Sequence, residues 1–329
     1  MKEFNDSINW FNEQKEFLCT SYNHHSYIFE GREGIGKKSF ALDFAKSLLC
    51  LSSTKNKSCN DCKACYFFDE QTHPDFYQIN LEKDKTQISI NQIRSIQQPL
   101  YESPFLGGNK VFLIHPLQAL NKEAFNTILK NLEEPPKNSY FLLITDAYHS
   151  IPLTIKSRSI KINLNNPHKD EVKKWLKSKG VKENIDMCIN FAKQRPMIAL
   201  KLSTLDIKNI RSDFIRDISI LIKTGKNILE ISESWIKNEE EFLIKIEWMS
   251  DLLMDSLRHK FFSGLDLTCD DTDAISKYLS QQNNSEDFFY LLTKTNIFWT
   301  LFSSNNNLRV DYHLQDLFVE WNERVGLRP

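Results

Sequence analysis

The sequence predicts an α/β domain, built on a parallel sheet with helices on both faces, followed by two all-helical regions. In the first half, short apolar runs typical of strands alternate with segments whose apolar residues recur at helical spacing. Strands that alternate with helices form parallel sheets whose two faces are both covered. After about residue 165 the strand pattern stops, while helical periodicity continues. We therefore expect one α/β domain first and helices in the rest.

The individual elements follow from these runs in chain order. The apolar runs predicted as strands are 26–29, 76–79, 110–114, 140–145 and 160–164. Apolar residues at helical spacing predict helices over 40–49, 93–100 and 124–132. Pro135 and Pro136 stop the third of these helices, because proline has no N–H group and its ring clashes with the preceding turn.

The helical part of the chain is expected to form two further domains. The three predicted domains are 1–165, 166–205 and 206–329. The second is a small helical lid, which opens with a helix that has Val172 and Trp175 on one side. The third is all helical, and its apolar residues keep close to a 3.6-residue period from Phe242 to Leu257.

Composition indicates a protein of the cytoplasm. The chain has 329 residues, of which 41% are hydrophobic, and no run approaches the ~18 to 20 apolar residues that a membrane helix needs. The segment 1–9 has no apolar stretch and does not resemble a signal peptide. A net charge of -1 argues against a protein that grips DNA by itself through a broad basic face. We expect no membrane partner and at most local contact with nucleic acid.

A glycine-rich loop, GREGIGKKS, follows the first strand and precedes a helix. This context is typical of a phosphate-binding P-loop, in which backbone N–H groups and a lysine hold phosphates. The residues expected to bind are Gly31, Gly34, Gly36 and Lys37. The next position should be Ser or Thr, whose hydroxyl binds Mg²⁺, and here it is Lys38. A lysine cannot ligate the metal, so productive use of ATP and Mg²⁺ is not expected.

The second half of a P-loop ATPase site is altered as well. It is expected at the end of strand 110–114, where ATPases carry an Asp that holds Mg²⁺ and many carry a Glu that orients the attacking water. This chain has His115 and Pro116 there, and neither replaces the acidic residue. Two independent losses at metal-binding positions indicate that the chain does not hydrolyse ATP. Whether the loop holds a nucleotide or a bare anion stays open.

Four of the seven cysteines lie close together in the pattern C-x8-C-x2-C-x2-C: Cys50, Cys59, Cys62 and Cys65. Four thiolates close a tetrahedral shell around Zn²⁺, and two-residue spacers let successive sulfurs face one ion. In a chain without a secretory signal, such clustering indicates a metal before a disulfide. The prediction is a structural zinc module over 50–65, inserted in the α/β domain. The alternative is a set of reduced free thiols.

The order of these motifs resembles the bacterial clamp-loader subunits of the AAA+ family. Besides the glycine loop and the four-cysteine insert, the resemblance rests on Thr72–Asp75 (THPD), Asn126–Pro136 (NTILKNLEEPP) and Ser157–Ser159 (SRS). The second stretch is the most specific, because it is similar to the family's N-x-L-L-K-x-L-E-E-P-P helix end. Trp248–Arg258 is similar to a helix of the family's C-terminal collar. The likeness therefore covers essentially the whole chain, and it identifies the domain over 206–329 as a collar.

Within this family, the departures from the pattern resemble the delta-prime subunits of DNA polymerase III, which do not hydrolyse ATP. Lys38 and His115 are two of these departures. The third lies in the lid, where Met197 aligns with an arginine (sensor 2) of the ATPase subunits, while Arg195 is two residues out of register. Thr145 matches the polar sensor 1 position, for which we expect a structural role.

The resemblance implies a non-hydrolysing stator subunit of the replicative clamp loader, which helps to load the sliding clamp onto primed DNA. It implies motor subunits that hydrolyse ATP, a clamp-opening subunit and the sliding clamp as partners. Arg158 matches the arginine of the family's serine-arginine-cysteine motif, with Ser159 in place of the cysteine. In the family this arginine reaches into the ATP site of a neighbouring motor subunit. No ATPase or polymerase activity of the chain's own is expected.

Two other functions are compatible with parts of the pattern. The first is an active AAA+ ATPase, a motor subunit with an unusual site, which would hydrolyse ATP with Mg²⁺ by itself. The missing acid at position 115 argues against it. The second is a zinc-dependent nucleic-acid-binding module, whose affinity for DNA would fall steeply with salt. The net charge of -1 argues against this one.

Overall fold

The computed structural model describes residues 8, 10–20, 24–53, 57–82, 85–262, 270–304 and 309–326. Most of the segment 1–9, where no signal peptide is predicted, lies outside the described residues. The strands are β1 Ser26–Glu30, β2 Phe76–Asn80, β3 Lys110–His115, β4 Ser139–Thr145 and β5 Ile160–Asn163. All five predicted strands are therefore confirmed.

The helices of the first half connect these strands. They are α1 Asn12–Thr20, α2 Lys37–Leu49, α3 Lys63–Asp69, α4 Ile90–Arg94, α5 Gln97–Tyr101, α6 Lys122–Glu133 and α7 Leu153–Lys156. The remaining helices are α8 Lys169–Ser178, α9 Ile185–Phe191, α10 Pro196–Leu202, α11 Ile207–Thr224, α12 Ile228–Ile236, α13 Glu239–Phe261, α14 Asp273–Gln282, α15 Ser285–Ser304 and α16 Val310–Val325.

The five strands form one parallel sheet in the order β2-β3-β4-β1-β5. Strand β1 lies between β4 and the edge strand β5, with Tyr27 paired to Leu142 of β4 on one side and to Ile160 of β5 on the other. Because all strands run the same way, their carboxyl ends meet at one edge of the sheet and their amino ends at the opposite edge. We call these the carboxyl edge and the amino edge.

Apolar side chains alternate between the two faces of the sheet and build a core on each. On one face, Tyr27 and Phe29 of β1 pack with Phe40 and Phe44 of α2. On the other face, Ile28 belongs to a core with residues of α4, α5, α6 and α7. The predicted fold class, a parallel sheet covered on both faces and followed by helices, is confirmed.

The helix predicted over 93–100 is instead two short helices, α4 and α5. The break falls at Ser95 and Ile96, between the end of α4 and the start of α5. Pro99 has no N–H group, so a continuous helix would leave the carbonyl of Ser95 without its usual partner. In the observed arrangement Pro99 lies in the first turn of α5, where an N–H group has no intrahelical partner in any case. Spacing of apolar residues alone did not reveal this break.

The chain forms two compact units, and neither is one continuous stretch of sequence. The first is Met1–Val181 together with Gln194–Leu200, and the second is Lys182–Lys193 together with Lys201–Pro329. The first unit contains the whole sheet. The segment predicted as a lid contributes to both units, and the domain boundaries near 165 and 205 stay predictions. Among the helices of the described residues, none is both long enough and apolar enough to cross a bilayer.

Candidate functional site

The glycine loop lies at the carboxyl edge, between β1 and the first turn of α2. Gly34 and Gly36 have positive φ angles of 81° and 98°, in the left-handed region that favours glycine. Gly36 is the N-cap of α2, so the helix N-terminus points at the loop. A side chain at Gly31 would place its Cβ only 2.4 Å from the carbonyl oxygen of Leu164. The sequence therefore folds into a strand, loop and helix of the predicted kind because glycine occupies these three positions.

Lys37, the lysine expected to reach phosphate, has partners within the chain. Its side chain is only 4% exposed, and its Nζ forms an ion pair with Asp146. The same Nζ donates to the carbonyl oxygen of Arg32 at 2.7 Å. Asp146 also accepts from Nε2 of Gln118 at 3.1 Å. The charge of Lys37 is thus balanced by a carboxylate of the protein itself, where a P-loop lysine would balance phosphate.

Backbone and apolar groups cover the loop from two directions. The backbone N–H of Met197 donates to the carbonyl oxygen of Gly34 at 2.9 Å. Nε1 of Trp10 donates to the carbonyl oxygen of Ile35 at 3.1 Å. A Cβ on Gly36 would lie 2.4 Å from Cδ1 of Ile8, so this apolar side chain packs directly against the loop. These contacts bring residues from the start of the chain and from α10 onto the loop.

Met197, which aligns with the sensor 2 arginine, and Arg195 both lie beside the glycine loop. Cε of Met197 lies 3.4 Å from the position that a Cβ on Gly36 would take, and Cβ of Arg195 lies 3.4 Å from that of a Cβ on Gly34. Ile198 lies closest of this segment, because its Cγ1 would be only 2.5 Å from a Cβ on Gly34. The residue with the closest approach is therefore apolar.

His115 ends β3 and Thr145 ends β4, both at the carboxyl edge where the glycine loop lies. His115 is half-buried, and burial lowers its pKa, although the carboxylate of Asp146 acts in the opposite direction. The imidazole is therefore neutral at pH 7, and its buried Nδ1 has no hydrogen-bond partner among the described residues. The hydroxyl of Thr145 donates to Oε1 of Gln118 at 2.8 Å. Neither side chain offers the negative charge that binds Mg²⁺.

A cavity of about 420 Å³ opens at the carboxyl edge beside the loop. Its charged lining residues are Glu30, Arg32, Asp146 and Lys161. Lys161 is paired with Glu30 at 2.5 Å, and Asp146 is paired with Lys37. Two acidic and two basic side chains therefore face the same space. Because the charges within each of these two pairs compensate each other, the charge of Arg32 is at most a single excess positive charge among the described residues at the cavity, which selects a phosphate group only weakly.

Arg158 lies at the opposite, amino edge of the sheet, between α7 and β5. Its Nη2 is 2.8 Å from Oε1 of Glu133, the last residue of α6. Its Nη1 donates to the carbonyl oxygen of Thr154 at 3.0 Å and to Oγ of Ser157 at 3.2 Å. The side chain is 36% exposed. The guanidinium is therefore oriented by its surroundings and still faces solvent.

The turn that carries Arg158 is tied to the sheet. The hydroxyls of Ser159 and Ser26 lie 2.7 Å apart, which links the start of β5 to the start of β1. The backbone N–H of Arg158 donates to the carbonyl oxygen of Ile155 at 3.1 Å. Ser159 stands where the resemblance expects cysteine, and its hydrogen bond to Ser26 gives it a structural role. The backbone position of Arg158 is thus fixed relative to β1.

The four predicted metal ligands come together at the end of α2. Their sulfurs all lie within 4.8 Å of one another. Sγ of Cys50 is 3.5 Å from that of Cys59 and 3.8 Å from that of Cys62, and Cys59 is 3.9 Å from Cys65. Four sulfurs bound to one Zn²⁺ at ~2.3 Å are about 3.8 Å apart, whereas a disulfide needs ~2.05 Å. The cluster therefore fits a zinc module, and it does not fit a pair of disulfides.

Backbone N–H groups point at these sulfurs, as thiolate ligands require. The N–H groups of Cys59, Cys62 and Cys65 lie 3.3, 3.3 and 3.5 Å from the sulfurs of Cys50, Cys59 and Cys62. Burial acts to raise the pKa of Cys62, but the N–H groups of Cys65 and Leu51, together with the thiols of Cys59 and Cys65, lower it to about 6. Burial raises the pKa of Cys65. Backbone N–H groups of the segment that carries the cysteines thus stabilise negative charge on part of the cluster.

Sequence reasoning did not identify Asp146, Gln118 and Glu133 as parts of these sites. Asp146 follows directly on the YFLLIT strand, so its place at the carboxyl edge was available from the pattern. Gln118 lies in a short 3-10 turn after Pro116, and no spacing rule predicts its contacts with Thr145 and Asp146. Glu133 is within the NLEEPP stretch that was recognised, but its contact with Arg158 depends on the packing of α6.

Comparisons with known proteins agree with the motifs. A family model described as "DNA polymerase III, delta subunit" matches residues 10–168, and one described as "DNA polymerase III, delta subunit, C terminal" matches residues 206–323. The DNA polymerase III subunit delta' of Haemophilus influenzae is 30% identical over 239 residues, which cover 72% of each chain. That of Buchnera aphidicola subsp. Schizaphis graminum is 28% identical over 307 residues, which cover 91% of each.

The subunit tau/gamma of Haemophilus influenzae is also similar, with 32% identity over 162 residues, but the match covers 49% of this chain and 23% of that protein. The delta' relatives match over a larger share of the chain. The delta' relatives carry the name that the departures at Lys38, His115 and Met197 suggested within the clamp-loader family. This chain belongs to the delta-prime subunit family of DNA polymerase III, within the bacterial clamp-loader proteins.

Proposed function

We propose that this chain is a non-hydrolysing stator subunit of the replicative clamp loader and supplies Arg158 in trans to the ATP site of a neighbouring subunit. The observation that carries the proposal is that the basic side chains at the two edges of the sheet differ in their exposure to solvent. The P-loop lysine, Lys37, is buried against Asp146, while Arg158 is oriented and partly exposed at the amino edge. Lys38 and His115 stand at the two positions that would hold Mg²⁺.

The chemistry of this role follows from the guanidinium group. During phosphoryl transfer, negative charge shifts within the γ-phosphate and the leaving oxygens. A guanidinium offers a permanent positive charge and a planar fork of N–H donors to those oxygens. Such an arginine is worth ~10³ to 10⁵ in rate at the site that it serves. Arg158 would act on a nucleotide held by another chain, so its own chain needs no working P-loop.

The partners proposed are clamp-loader motor subunits, the clamp-opening subunit and the sliding clamp, with primed DNA reached through the assembly. The relatives named delta' and tau/gamma support the first of these, because both are subunits of DNA polymerase III. A net charge of -1 supports a chain that meets DNA within an assembly and not alone. We also propose that Cys50, Cys59, Cys62 and Cys65 hold one structural Zn²⁺, and that the protein works in the cytoplasm.

The test is steady-state ATP hydrolysis by the reconstituted loader with clamp and primed DNA, and by each component alone. The isolated chain should be inactive. In the assembly, Arg158→Ala should slow hydrolysis at the neighbouring site by ~10³ to 10⁵ and lower the total rate by that site's share. Arg94→Ala, at an exposed arginine of α4, is the control for loss of one positive charge and should leave the rate unchanged.

Two outcomes would contradict the proposal. Hydrolysis of ATP by the isolated chain with Mg²⁺ would make it a motor subunit. Lys38 and His115 would then be compatible with metal binding. An assembled rate that is the same with Arg158→Ala as with Arg94→Ala would exclude the trans role. Lys at position 158 keeps the charge but loses the planar fork, so Arg158→Lys should recover little of the rate.

A further inference from the structure

Glu133 is the last residue of α6, and its carboxylate contacts the guanidinium of Arg158. A negative charge is disfavoured at this position, because the carbonyl end of a helix carries the negative pole of the helix dipole. Glu134 follows it as the C-cap, so two carboxylates stand at the wrong end of α6. The local physics of the helix therefore does not explain Glu133. A contact outside the helix does, since Oε1 of Glu133 lies 2.8 Å from Nη2 of Arg158.

We propose that Glu133 is a positioning residue, which holds the side chain of Arg158 in the orientation that the neighbouring ATP site needs. The inference rests on the trans role of Arg158 proposed above. A free arginine side chain loses rotamer entropy when it becomes fixed. Glu133 and the carbonyl of Thr154 hold the guanidinium from two sides, so part of this ordering is complete before the neighbour binds.

The contacts leave the guanidinium able to bind something else. A guanidinium has five N–H groups. Among the described residues, Nη1 makes two hydrogen bonds and Nη2 makes the contact with Glu133. Two N–H groups then remain for an incoming phosphate, which is the number that a bidentate contact uses. Glu133 therefore orients Arg158 without using all of its donors.

The ion pair of Arg158 and Glu133 is partly exposed, so breaking it costs little free energy. The side chains of Arg158 and Glu133 are 36% and 43% exposed. Ion pairs of this kind contribute little stability, and salt screens them. A buried ion pair would hold the arginine too firmly for it to contact the neighbouring nucleotide. Lys37 is held in this way by Asp146 at the carboxyl edge. The pair at the amino edge orients the arginine and can still release it.

The experiment is ATP hydrolysis by the reconstituted loader, with kcat and KM for ATP measured for a double-mutant cycle of Glu133→Gln and Arg158→Ala. Glu133→Gln should lower the Arg158-dependent part of kcat about twofold to fivefold, the size expected for a partly exposed ion pair. KM should change little. With Arg158→Ala already present, Glu133→Gln should have no further effect, because a positioning residue acts only through the residue that it positions.

Two further variants make the test specific. Glu134→Gln removes the same charge from the adjacent position of the helix end and should leave kcat unchanged. Glu133→Asp keeps the charge but withdraws the carboxylate by one methylene group, so its kcat should lie between the wild-type and the Glu133→Gln values. Thermal unfolding of each chain checks that the fold is intact.

The outcomes separate this inference from the proposed function. If Arg158→Ala does not slow the assembly, the trans role itself is wrong. If Arg158→Ala slows it but Glu133→Gln behaves like Glu134→Gln, only the positioning role is wrong. An equal loss from Glu133→Gln with and without Arg158 would also overturn the inference, because Glu133 would then act through the helix end and not through the arginine.

Discussion

Lys37 at the carboxyl edge of the sheet and Arg158 at the amino edge are both basic residues that nucleotide chemistry could use, but their surroundings differ. At the carboxyl edge, Lys37 is 4% exposed and paired with Asp146. At the amino edge, Arg158 is 36% exposed and paired with Glu133. Breaking a buried pair leaves an uncompensated charge and costs much, whereas an exposed pair exchanges partners almost freely. Exposure of the pair, and not the presence of the basic residue, therefore decides which edge is available to a partner.

The same contrast extends to the groups around each residue. The glycine loop receives hydrogen bonds from Met197 and Trp10 and an apolar contact from Ile8. The backbone of the turn around Arg158 is fixed through the hydrogen bond of Ser159, whereas the guanidinium remains partly exposed to solvent. At the carboxyl edge, the loop therefore has the backbone shape of a phosphate-binding loop, but its carbonyl groups and Lys37 make contacts within the chain itself.

The largest effect should come from the cysteine cluster, which lies where α2 ends, as the glycine loop lies where α2 begins. Cys65→Ser should abolish zinc binding and destabilise the first unit by several kcal/mol, below the ~10 to 16 kcal/mol of zinc-finger peptides. Cys188→Ser, at a buried cysteine of the second unit, should keep one zinc per chain. Metal content and thermal unfolding measure both. A wild-type chain that contains no zinc would show that the four sulfurs are free thiols, and a Cys65→Ser chain that keeps one zinc would exclude Cys65 as a ligand.

The next effect compares the two pairs directly, through the same change of carboxylate to amide. Asp146→Asn should destabilise the first unit by roughly 2 to 4 kcal/mol, somewhat less than for a fully buried pair, because the Asp146 side chain is 28% exposed. Glu133→Gln should cost under about 1 kcal/mol. Hydrogen exchange of the amides of β1 and β4 measures opening of this unit alone. If Asp146→Asn and Glu133→Gln destabilised the first unit equally, exposure would not distinguish the two ion pairs.

The smallest effect is a pH dependence at the carboxyl edge. Burial lowers the pKa of His115 below its ordinary value of 6.5, so on acidification the unfolded chain takes up this proton first. His115 thus contributes stability that is present above about pH 6.5 and is lost as pH falls toward its folded pKa. One such proton changes the free energy of unfolding by at most about 1.4 kcal/mol per pH unit.

His115→Gln should therefore make stability less dependent on pH below about 6.5. The dependence should not vanish, because burial also lowers the pKa of His25 and His73. Unfolding measured between pH 7.5 and pH 5 checks this, with His149→Gln as the control at an exposed histidine. A wild-type slope retained in the His115→Gln chain would contradict the neutral, buried state of His115.

Particular residues show how far the sequence could be interpreted. The strand and helix periods located all five strands and α2, because alternation and helical spacing are local properties of the chain. The spacing of Cys50, Cys59, Cys62 and Cys65 was sufficient to predict that they come together, since short spacers restrict the possible geometry. The break between α4 and α5 was missed, because apolar spacing does not register the missing N–H group of Pro99.

By itself, the sequence determined the fold class, the glycine loop with its altered metal positions, the cysteine cluster and the arginine of the SRS turn. Only the tertiary structure decided which of these groups is available to a partner. Lys37 meets Asp146 across 109 positions of sequence, and this contact depends on the pairing of β1 with β4. Arg158 meets Glu133 because α6 ends at the amino edge where β5 begins. Residue types and spacing determine what chemistry a chain carries, whereas packing sets the exposure and the partner of each charge, and these determine its energy.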